Sequence, residues 1–163
     1  MRLSFYKPNA KNSGYGCSFN LAKESTDGKT KYSFYISFIK QSGWNEASKR
    51  GSFGANMKNK EKTASVKLSD TEIAGLILAL KKEDKPFSFV HKTPAGMSNL
   101  FFKPYEREGN IVGMSLSVAI NPKAADKKSF LMGFNHQECE LLSIFLKKVL
   151  TDKLSEETAV EPE

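Results

Sequence analysis

The chain has 163 residues, 39% of them hydrophobic and 26% charged, with a formal net charge of +7 at pH 7. This length suits one well-filled domain and is short for two independent ones, and the composition is that of an ordinary globular protein. No apolar run is long enough to span a membrane, so we expect no membrane association.

Four strand-like segments and one amphipathic helix occur twice in chain order. In the first half, strands are predicted near 2–7, 14–23, 31–40 and 60–68, and a helix from 70 to about 83. In the second half, strands are predicted near 87–92, 98–107, 112–120 and 128–134, and a helix from 136 to about 153. The sequence therefore predicts an α+β fold with the order ββββα-ββββα.

The duplication is strongest where each half ends in its helix. Residues 62–80 and 128–146 align without a gap at an offset of 66 residues. Both helices open with a capping-box signature, formed by Ser69 with Glu72 and by Asn135 with Glu138. Because one ββββα unit cannot bury its helix alone, the halves should share a core. We expect a single domain over 1–154, with internal repeats at 2–83 and 87–153.

Alternation along two strands predicts that each sheet has one apolar face and one face of small residues. In the first half the apolar set is Tyr32, Phe34, Ile36 and Phe38, opposite Ser33, Tyr35 and Ser37. In the second half it is Met114, Leu116, Val118 and Ile120, opposite Gly113, Ser115, Ser117 and Ala119. Solvated faces usually carry Lys, Glu and Thr, so a flat face of Ser and Gly indicates a surface that a base or another backbone can approach.

Positive charge is concentrated in the body of the chain. The last nine residues, 155–163, hold four glutamates and no Lys or Arg, which leaves residues 1–154 with a net charge of +11. This favours a polyanionic partner, with a membrane surface or general solubility as alternatives. We expect 155–163 to be a disordered acidic tail that either competes with phosphate, recruits a protein partner, or serves solubility alone.

The segment 42–62 has no counterpart in the second half, and we call it the insertion. It combines basic and aromatic residues, namely Trp44, Lys49, Arg50, Phe53, Lys58, Lys60 and Lys62. Long irregular insertions in compact domains are usually functional or disordered.

Catalytic patterns are missing from the sequence. The only histidines, His91 and His136, lie within predicted elements, and there is no phosphate-binding loop, HExxH or CxxC motif. Cys17 and Cys139 lie in apolar patterns, which favours buried reduced thiols. We therefore expect no enzyme, no cofactor and no metal. MRLSFYK resembles neither a signal nor a transit peptide, so we expect a cytoplasmic protein.

Aromatic and basic residues alternate or adjoin in several segments, which suits single-stranded nucleic acid, since cations follow phosphates and rings stack on bases. In the run Phe101, Lys103, Tyr105 and Arg107 the period is two, although Phe101 and Tyr105 could instead belong to the core. The predicted nucleic-acid-binding residues are Tyr6, Lys7, Lys11, Tyr15, Tyr35, Trp44, Lys49, Arg50, Phe53, Lys58, Lys60, Phe101, Lys103, Tyr105 and Arg107.

The second helix carries more apolar surface than one small sheet face requires. We therefore expect a homo-oligomer, most simply a tetramer, with an interface at Leu142, Phe145, Leu146 and Val149.

Three segments carry a resemblance to a known family, namely KTASVKLSDTEIAGLILAL (62–80), FSFVHKTP (87–94) and SFLMGFNHQECELLSIFLKKVL (129–150). In these segments the chain resembles the Whirly family, which lies within the wider group of PC4-like proteins and kinetoplastid mitochondrial RNA-binding proteins. The resemblance extends over about 2–153. It implies two antiparallel four-stranded sheets packed roughly perpendicular, helices at a tetramer core, and single-stranded DNA along the sheets and between protomers.

Two departures from the plant Whirly pattern bear on assembly and origin. The segment 6–16 replaces a Lys-Gly-Lys-Ala-Ala-Leu motif, which leaves assemblies beyond a tetramer unsupported, and we expect no organellar transit peptide. The tail resembles those of bacterial and phage single-strand-binding proteins, which recruit partners. We expect a microbial or viral protein that binds single-stranded DNA without sequence preference in replication, recombination or repair. The alternatives are an RNA-binding or annealing factor and a PC4-like transcription cofactor.

Overall fold

The computed structural model describes residues 1–26, 29–81, 85–94, 96–121, 124–125 and 127–158. The strands are β1 (Arg2–Lys7), β2 (Tyr15–Thr26), β3 (Lys29–Lys40), β4 (Gly43–Asn45), β5 (Arg50–Ser52), β6 (Thr63–Leu68), β7 (Phe87–Thr93), β8 (Gly96–Arg107), β9 (Asn110–Ile120) and β10 (Lys128–Asn135). The helices are α1 (Asp70–Lys81), between β6 and β7, and α2 (His136–Thr158), after β10.

Two antiparallel four-stranded sheets form the body of the molecule. The first sheet has the order β1-β2-β3-β6, and the second has the order β10-β9-β8-β7. Each sheet is followed by one helix, which confirms the α+β class. The simple ββββα repeat is only approximate, because the insertion adds the two-stranded ribbon β4-β5 and a short 3-10 turn at Gly54–Asn56 between β3 and β6.

The inner faces of the two sheets meet in one core that is rich in phenylalanine. Phe134 on β10 lies 5.1 Å from Phe5 and 6.1 Å from Phe19 between ring centroids, and Phe130 lies 5.8 Å from Phe38. These five side chains are all buried. Since β10 belongs to the second sheet and the partner rings to the first, the two halves bury each other's apolar faces.

Both helices pack on this core and on each other. The buried side chains of α1 are Ile73, Leu76, Ala79 and Leu80. Those of α2 include Cys139, Leu142, Leu146 and Val149, which recur with helical spacing. The helix α2 continues to Thr158, four residues into the segment predicted to be a tail, and 159–163 lie outside the described residues.

Both predicted capping boxes are confirmed. The backbone amide of Ser69 donates to Glu72 over 2.8 Å, and the amide of Glu72 points back at the Ser69 hydroxyl over 3.4 Å. Asn135 and Glu138 form the same pair of hydrogen bonds, both over 2.9 Å. Each box satisfies backbone donors that the first turn of a helix leaves without a partner.

Each capping glutamate also reaches the first strand of the other half. The carboxylate of Glu72 lies 2.6 Å from Nε2 of His91 on β7, and Glu138 forms an ion pair with Lys7 on β1. The two halves are therefore tied together by reciprocal contacts from cap to strand.

Neither described helix combines the length and apolar character needed to cross a membrane. Within the same residues no three His, Cys, Asp or Glu side chains are grouped closely enough to hold a metal ion.

Candidate nucleic-acid interface

The outer face of the first sheet has a floor of serine hydroxyls. Ser37 on β3 and Ser65 on β6 face each other with their oxygens 3.0 Å apart, and Ser4 on β1 lies 2.9 Å from Ser18 on β2. These positions are out of phase with the buried apolar side chains of the same strands, as the alternation predicted for β3. The face is consequently flat and rich in groups that can donate or accept.

The insertion folds beside this face and turns it into a groove with a volume of about 860 Å³. We call this the first-sheet groove. Phe53, Gly54 and Met57 from the insertion line the groove, as do Tyr6 and Pro8. Three of the four serines, Ser18, Ser37 and Ser65, line it as well. A segment without counterpart in the second half therefore forms one wall of this groove.

Tyr6 lies flat over β2 because residue 16 is glycine. A Cβ atom at Gly16 would come within 2.7 Å of the Tyr6 ring. Phe53 packs beside Tyr6 with ring centroids 5.0 Å apart, and Tyr6 remains 49% exposed. The first-sheet groove thus offers a partly open pair of aromatic rings.

Arg2 is held at the groove by hydroxyl groups. Its guanidinium donates to Ser18 over 2.8 Å and to Ser4 over 3.2 Å. Among the described residues no carboxylate lies within ion-pair distance of Arg2. Its charge therefore faces the groove without a counter-ion from the described part of the chain.

Lysines continue the positive surface from the groove toward the second half. Lys128 at the start of β10 crosses to the insertion, where its ammonium donates to the carbonyls of Lys60 over 2.6 Å and Thr63 over 3.5 Å. Lys60 and Lys128 line both the first-sheet groove and an adjoining cavity of about 790 Å³. That cavity, which we call the basic cavity, also takes in Lys40, Lys62 and Lys127, with Glu61 as its carboxylate.

The outer face of the second sheet is open and carries exposed apolar side chains. Phe101 and Tyr105 on β8 are 45% and 46% exposed, so neither belongs to the core. Lys103 lies between them on the same strand, and all three side chains share the outer face. The Tyr105 ring lies across the sheet toward Gly133, where a Cβ atom would be 3.5 Å away. Val90 and Leu131 add further exposed apolar surface on this face.

Tyr35 lies on the outer face of the first sheet but is tied to its neighbours. Its hydroxyl donates to Glu24 over 2.7 Å, and the Lys67 ammonium lies 5.6 Å from its ring centroid. Hydrogen bonds from Tyr35 and Ser33 lower the pKa of Glu24, and the bond to Glu24 raises the pKa of Tyr35. Tyr35, which lies on an inner strand of the sheet between Asn20 and Lys67, is thus held by its neighbours.

Two predicted binding residues point inward. Lys7 has the same phase as Phe5 on β1 and forms the ion pair with Glu138 on the helix side. Tyr15 has the phase of Cys17 on β2 and packs against Phe130 with centroids 6.1 Å apart. Strand alternation places both on the opposite face from Tyr6, so the structure does not bring them to the outer face.

The remaining predicted binding residues lie around the edges. Lys49 is paired with Glu46 over 2.6 Å, and Trp44 is partly buried, with an indole nitrogen that has no hydrogen-bond partner among the described residues. Side chains that are exposed but not placed in the groove or the basic cavity are Lys11, Arg50, Lys58 and Arg107. Arg107 lies beyond a register shift at Tyr105/Glu106.

The residues predicted for an oligomer interface are mostly used within the protomer. Leu142, Leu146 and Val149 are buried in its core, and Phe145 is partly buried against it. The apolar side chains that the helices expose are instead Leu78 on α1 and Leu141, Ile144 and Leu154 on α2.

Several residues of the groove and cavity were not found by sequence reasoning, namely Arg2, Lys40, Met57, Lys127 and Lys128. Of these, Arg2 alternates with Tyr6 on β1 and was accessible to a pattern argument. Lys128 was not, because its approach to the insertion depends on how the two halves pack.

Comparison with known proteins gives matches among solved structures alone. No protein-family model matches the chain, and neither does any curated protein. The Whirly protein WHY3 from Arabidopsis thaliana has a TM-score of 0.68 at 14% identity, over 97% of this chain and 90% of that one. The plant transcriptional regulator PBF-2, also of the Whirly family, has a TM-score of 0.67 at 17% identity, over 100% and 97%.

The Trypanosoma brucei MRP1/MRP2 structure is similar over 99% of both chains, with a TM-score of 0.60 at 17% identity. Likeness of this kind over nearly the whole chain shows a common fold. The resemblance to the Whirly family and to the kinetoplastid proteins is confirmed at that level.

Proposed function

We propose that this protein binds single-stranded DNA without sequence preference. The observation that carries the proposal is the pair of outer sheet faces, each with an exposed tyrosine lying over a glycine. Beside Tyr6 stand Arg2 and Lys60, and beside Tyr105 stands Lys103. Rings that stack on bases and cations that follow phosphates are what an unpaired strand requires.

The chemistry of the faces supports weak sequence reading. The groove lining includes the hydroxyls of Ser18, Ser37 and Ser65, and a hydroxyl can donate or accept, so the groove suits more than one base edge. Duplex DNA calls for an element that enters a groove. Here both helices pack on the core through one side, and the exposed side of α2 mixes apolar residues with both charges.

Binding, and not catalysis, is the activity we infer. Both histidines hold structural contacts, His91 with Glu72 and His136 with the carbonyl of Ile111 over 3.2 Å. The cellular role that we propose is in replication, recombination or repair, in the cytoplasm of a microbe or a virus-infected cell. Because one structural neighbour is described as a transcriptional regulator, the alternative role that we propose is that of a transcription cofactor. The alternative ligand is RNA.

We further propose a homotetramer, with the exposed helical residues as its contact surface. Leu78, Leu141 and Ile144 are 59%, 49% and 56% exposed, which is unusual for large apolar side chains outside a binding surface. Light scattering should show a mass several times that of the 18.2 kDa protomer. A stable monomer at micromolar concentration contradicts the assembly. The acidic tail at 155–163 remains the proposed contact for a protein partner.

Competition at fixed salt tests the proposed function. A labelled homopolymer of single-stranded DNA is titrated with the protein, then displaced by unlabelled single strand, duplex of equal length, or RNA. We expect single-stranded DNA to displace best and the logarithm of the affinity to fall linearly with the logarithm of salt concentration. Equal affinity for duplex would overturn the proposal, and stronger displacement by RNA would favour the alternative ligand. Fluorescence of Trp44, the chain's one tryptophan, gives a second readout.

A further inference from the structure

We propose that the first-sheet groove is a specific site for one nucleotide unit, and that the basic cavity carries the following phosphates toward the second half. The base would lie against Tyr6, Phe53 and Met57, with its phosphate near Arg2, Lys60 or Lys128. This inference rests on the proposed function and gives it a location and a path.

The shape and lining of the groove suit a flat ring. Tyr6 and Phe53 form a tilted pair with 5.0 Å between centroids, so a base can meet one ring face while the other ring closes the side. Met57 is 72% exposed although it lines the groove, and an exposed thioether is a favourable contact for an aromatic ring. Beneath them the paired hydroxyls of Ser37 and Ser65 offer hydrogen bonds to a base edge.

Charge determines which kind of ring compound fits. The groove lining holds Arg2, Lys60 and Lys128, and in the described part of the chain it includes no Asp or Glu. Arg2 and Lys128 are fixed by hydroxyls and carbonyls, which orient them without neutralising their charge. Cations that are already oriented beside aromatic rings favour a ligand that has both a ring and a phosphate. A nucleotide has both, whereas an uncharged ring compound or an acidic side chain has only one of the two features.

The arrangement of the lysines gives the strand a direction across the molecule. Lys60 and Lys128 belong to both the groove and the basic cavity, so the two spaces adjoin. The cavity is lined by Ala119 and Ser129 from the second sheet as well as by Lys40 and Lys62 from the first half. A strand leaving the groove therefore meets a lysine-lined path that ends at β9 and β10.

The decisive experiment compares charge removal inside and outside this path. R2A and K128A each remove one cation from the groove, and K147A removes one exposed cation from α2 as the matched control. Affinity for labelled oligothymidylate is measured for each full-length variant over a range of salt concentrations. We expect the salt slope of R2A and K128A to become shallower by about 0.7 each, with K147A close to wild type. Equal slopes in all three variants would overturn the inference, while wild-type preference for single strand would leave the proposed function standing.

Removal of the ring separates stacking from charge. F53A should weaken binding by roughly 5- to 150-fold, the range that one lost base stack gives. F53Y keeps an aromatic ring and should bind with an affinity near that of wild type. Thermal unfolding of F53A near that of wild type confirms that the groove wall, and not the fold, was changed. A fully folded F53A with wild-type affinity contradicts the base position.

Titration with a free mononucleotide tests the site without a long strand. In amide NMR spectra of the intact protein, deoxyadenosine monophosphate should shift Gly16, Gly51 and Gly54, which lie in or beside the groove. Shifts there support the site even if the preference for single strand over duplex fails, so the two proposals can fail separately. Shifts caused by an acidic peptide of equal charge but not by the nucleotide would assign the groove to a peptide and overturn the inference.

Discussion

The two halves of this protein are alike on their inner faces and different on their outer ones. Inside, each sheet contributes phenylalanines in strand alternation, and each helix begins with the same capping box. Outside, the first sheet has a groove built by the insertion and bordered by Arg2, whereas the second sheet has a flat face with Phe101 and Tyr105 exposed. The two ββββα units thus share their manner of packing and differ in their outer surfaces.

Packing explains why the inner faces stayed similar. A buried side chain is restricted by many neighbours at once, so both sheets must supply large apolar groups in matching positions. An outer face has no such restriction, and a segment of the length of the insertion can be added there at a modest entropic cost. The comparison predicts that changes on inner faces affect stability, while changes on outer faces affect binding.

The largest expected effect comes from an inner-face substitution. Phe134 contacts Phe5 and Phe19 across the two sheets, and it is fully buried. F134A should lower the free energy of unfolding by about 3–5 kcal/mol, from lost burial and the cavity left behind. L131A, on the same strand but 53% exposed, should change it by less than about 0.5 kcal/mol. Denaturant unfolding of both variants measures the difference, and similar losses would contradict a shared core.

Next in size is the loss of an outer-face tyrosine. Y6A and Y105A should each weaken binding of single-stranded DNA by about 1–3 kcal/mol, because each removes one stacking ring. The loss should be larger for Y6A, since Tyr6 also supports Phe53 in the groove whereas the Tyr105 ring stands over an open face. Affinity titrations with thermal unfolding as a control compare the two. An unchanged affinity for both would remove the outer faces from the proposed function.

Local patterns in the sequence were sufficient for the eight strands of the two large sheets, for both helices and for the two faces of β3. Alternation in 31–40 correctly separated Phe34, Ile36 and Phe38 from Ser33 and Ser37, because a strand in a two-layer core must alternate. The capping boxes were found for a similar reason, since both partners lie three residues apart. Such short-range features depend only on residues that are close together in the sequence.

Features that depend on distant contacts were not accessible to the sequence. The partners of Lys7 and Tyr15 are of this kind, since Glu138 and Phe130 are distant in sequence. Their inward direction is not, because each lies two residues from a core residue of its own strand, a phase that was overlooked when both were predicted to bind nucleic acid. The two-stranded ribbon in the insertion has strands of only three residues each, too short for a periodic signal. The groove exists because the insertion folds beside the sheet, which only tertiary packing determines.

A smaller effect, equal in both halves, is expected at the helix caps. S69A and N135A each remove the side-chain acceptor for an amide of the first turn and should cost about 1 kcal/mol, or about 2–4 °C in melting temperature. Calorimetry of the two variants tests whether the two caps are equivalent in stability, although the cap hydrogen bond is 3.4 Å long at Ser69 and 2.9 Å long at Asn135. A loss confined to one cap would show that one half depends less on its helix start.

The smallest expected effect is a dependence on pH that belongs to the first sheet alone. Hydrogen bonds from Tyr35 and Ser33 lower the pKa of Glu24, so the folded state favours its ionised form. The contribution to stability is therefore present above the ordinary carboxyl range and is lost as pH falls through the lowered pKa of Glu24. E24Q should melt slightly below wild type at neutral pH, and the difference should vanish in acid.

A Y105F variant on the second sheet serves as control and should show no such dependence, because Tyr105 is not among the side chains that bond to Glu24. A difference between wild type and E24Q that persists unchanged into acid would mean that the ionised carboxylate is not what holds Tyr35 in place.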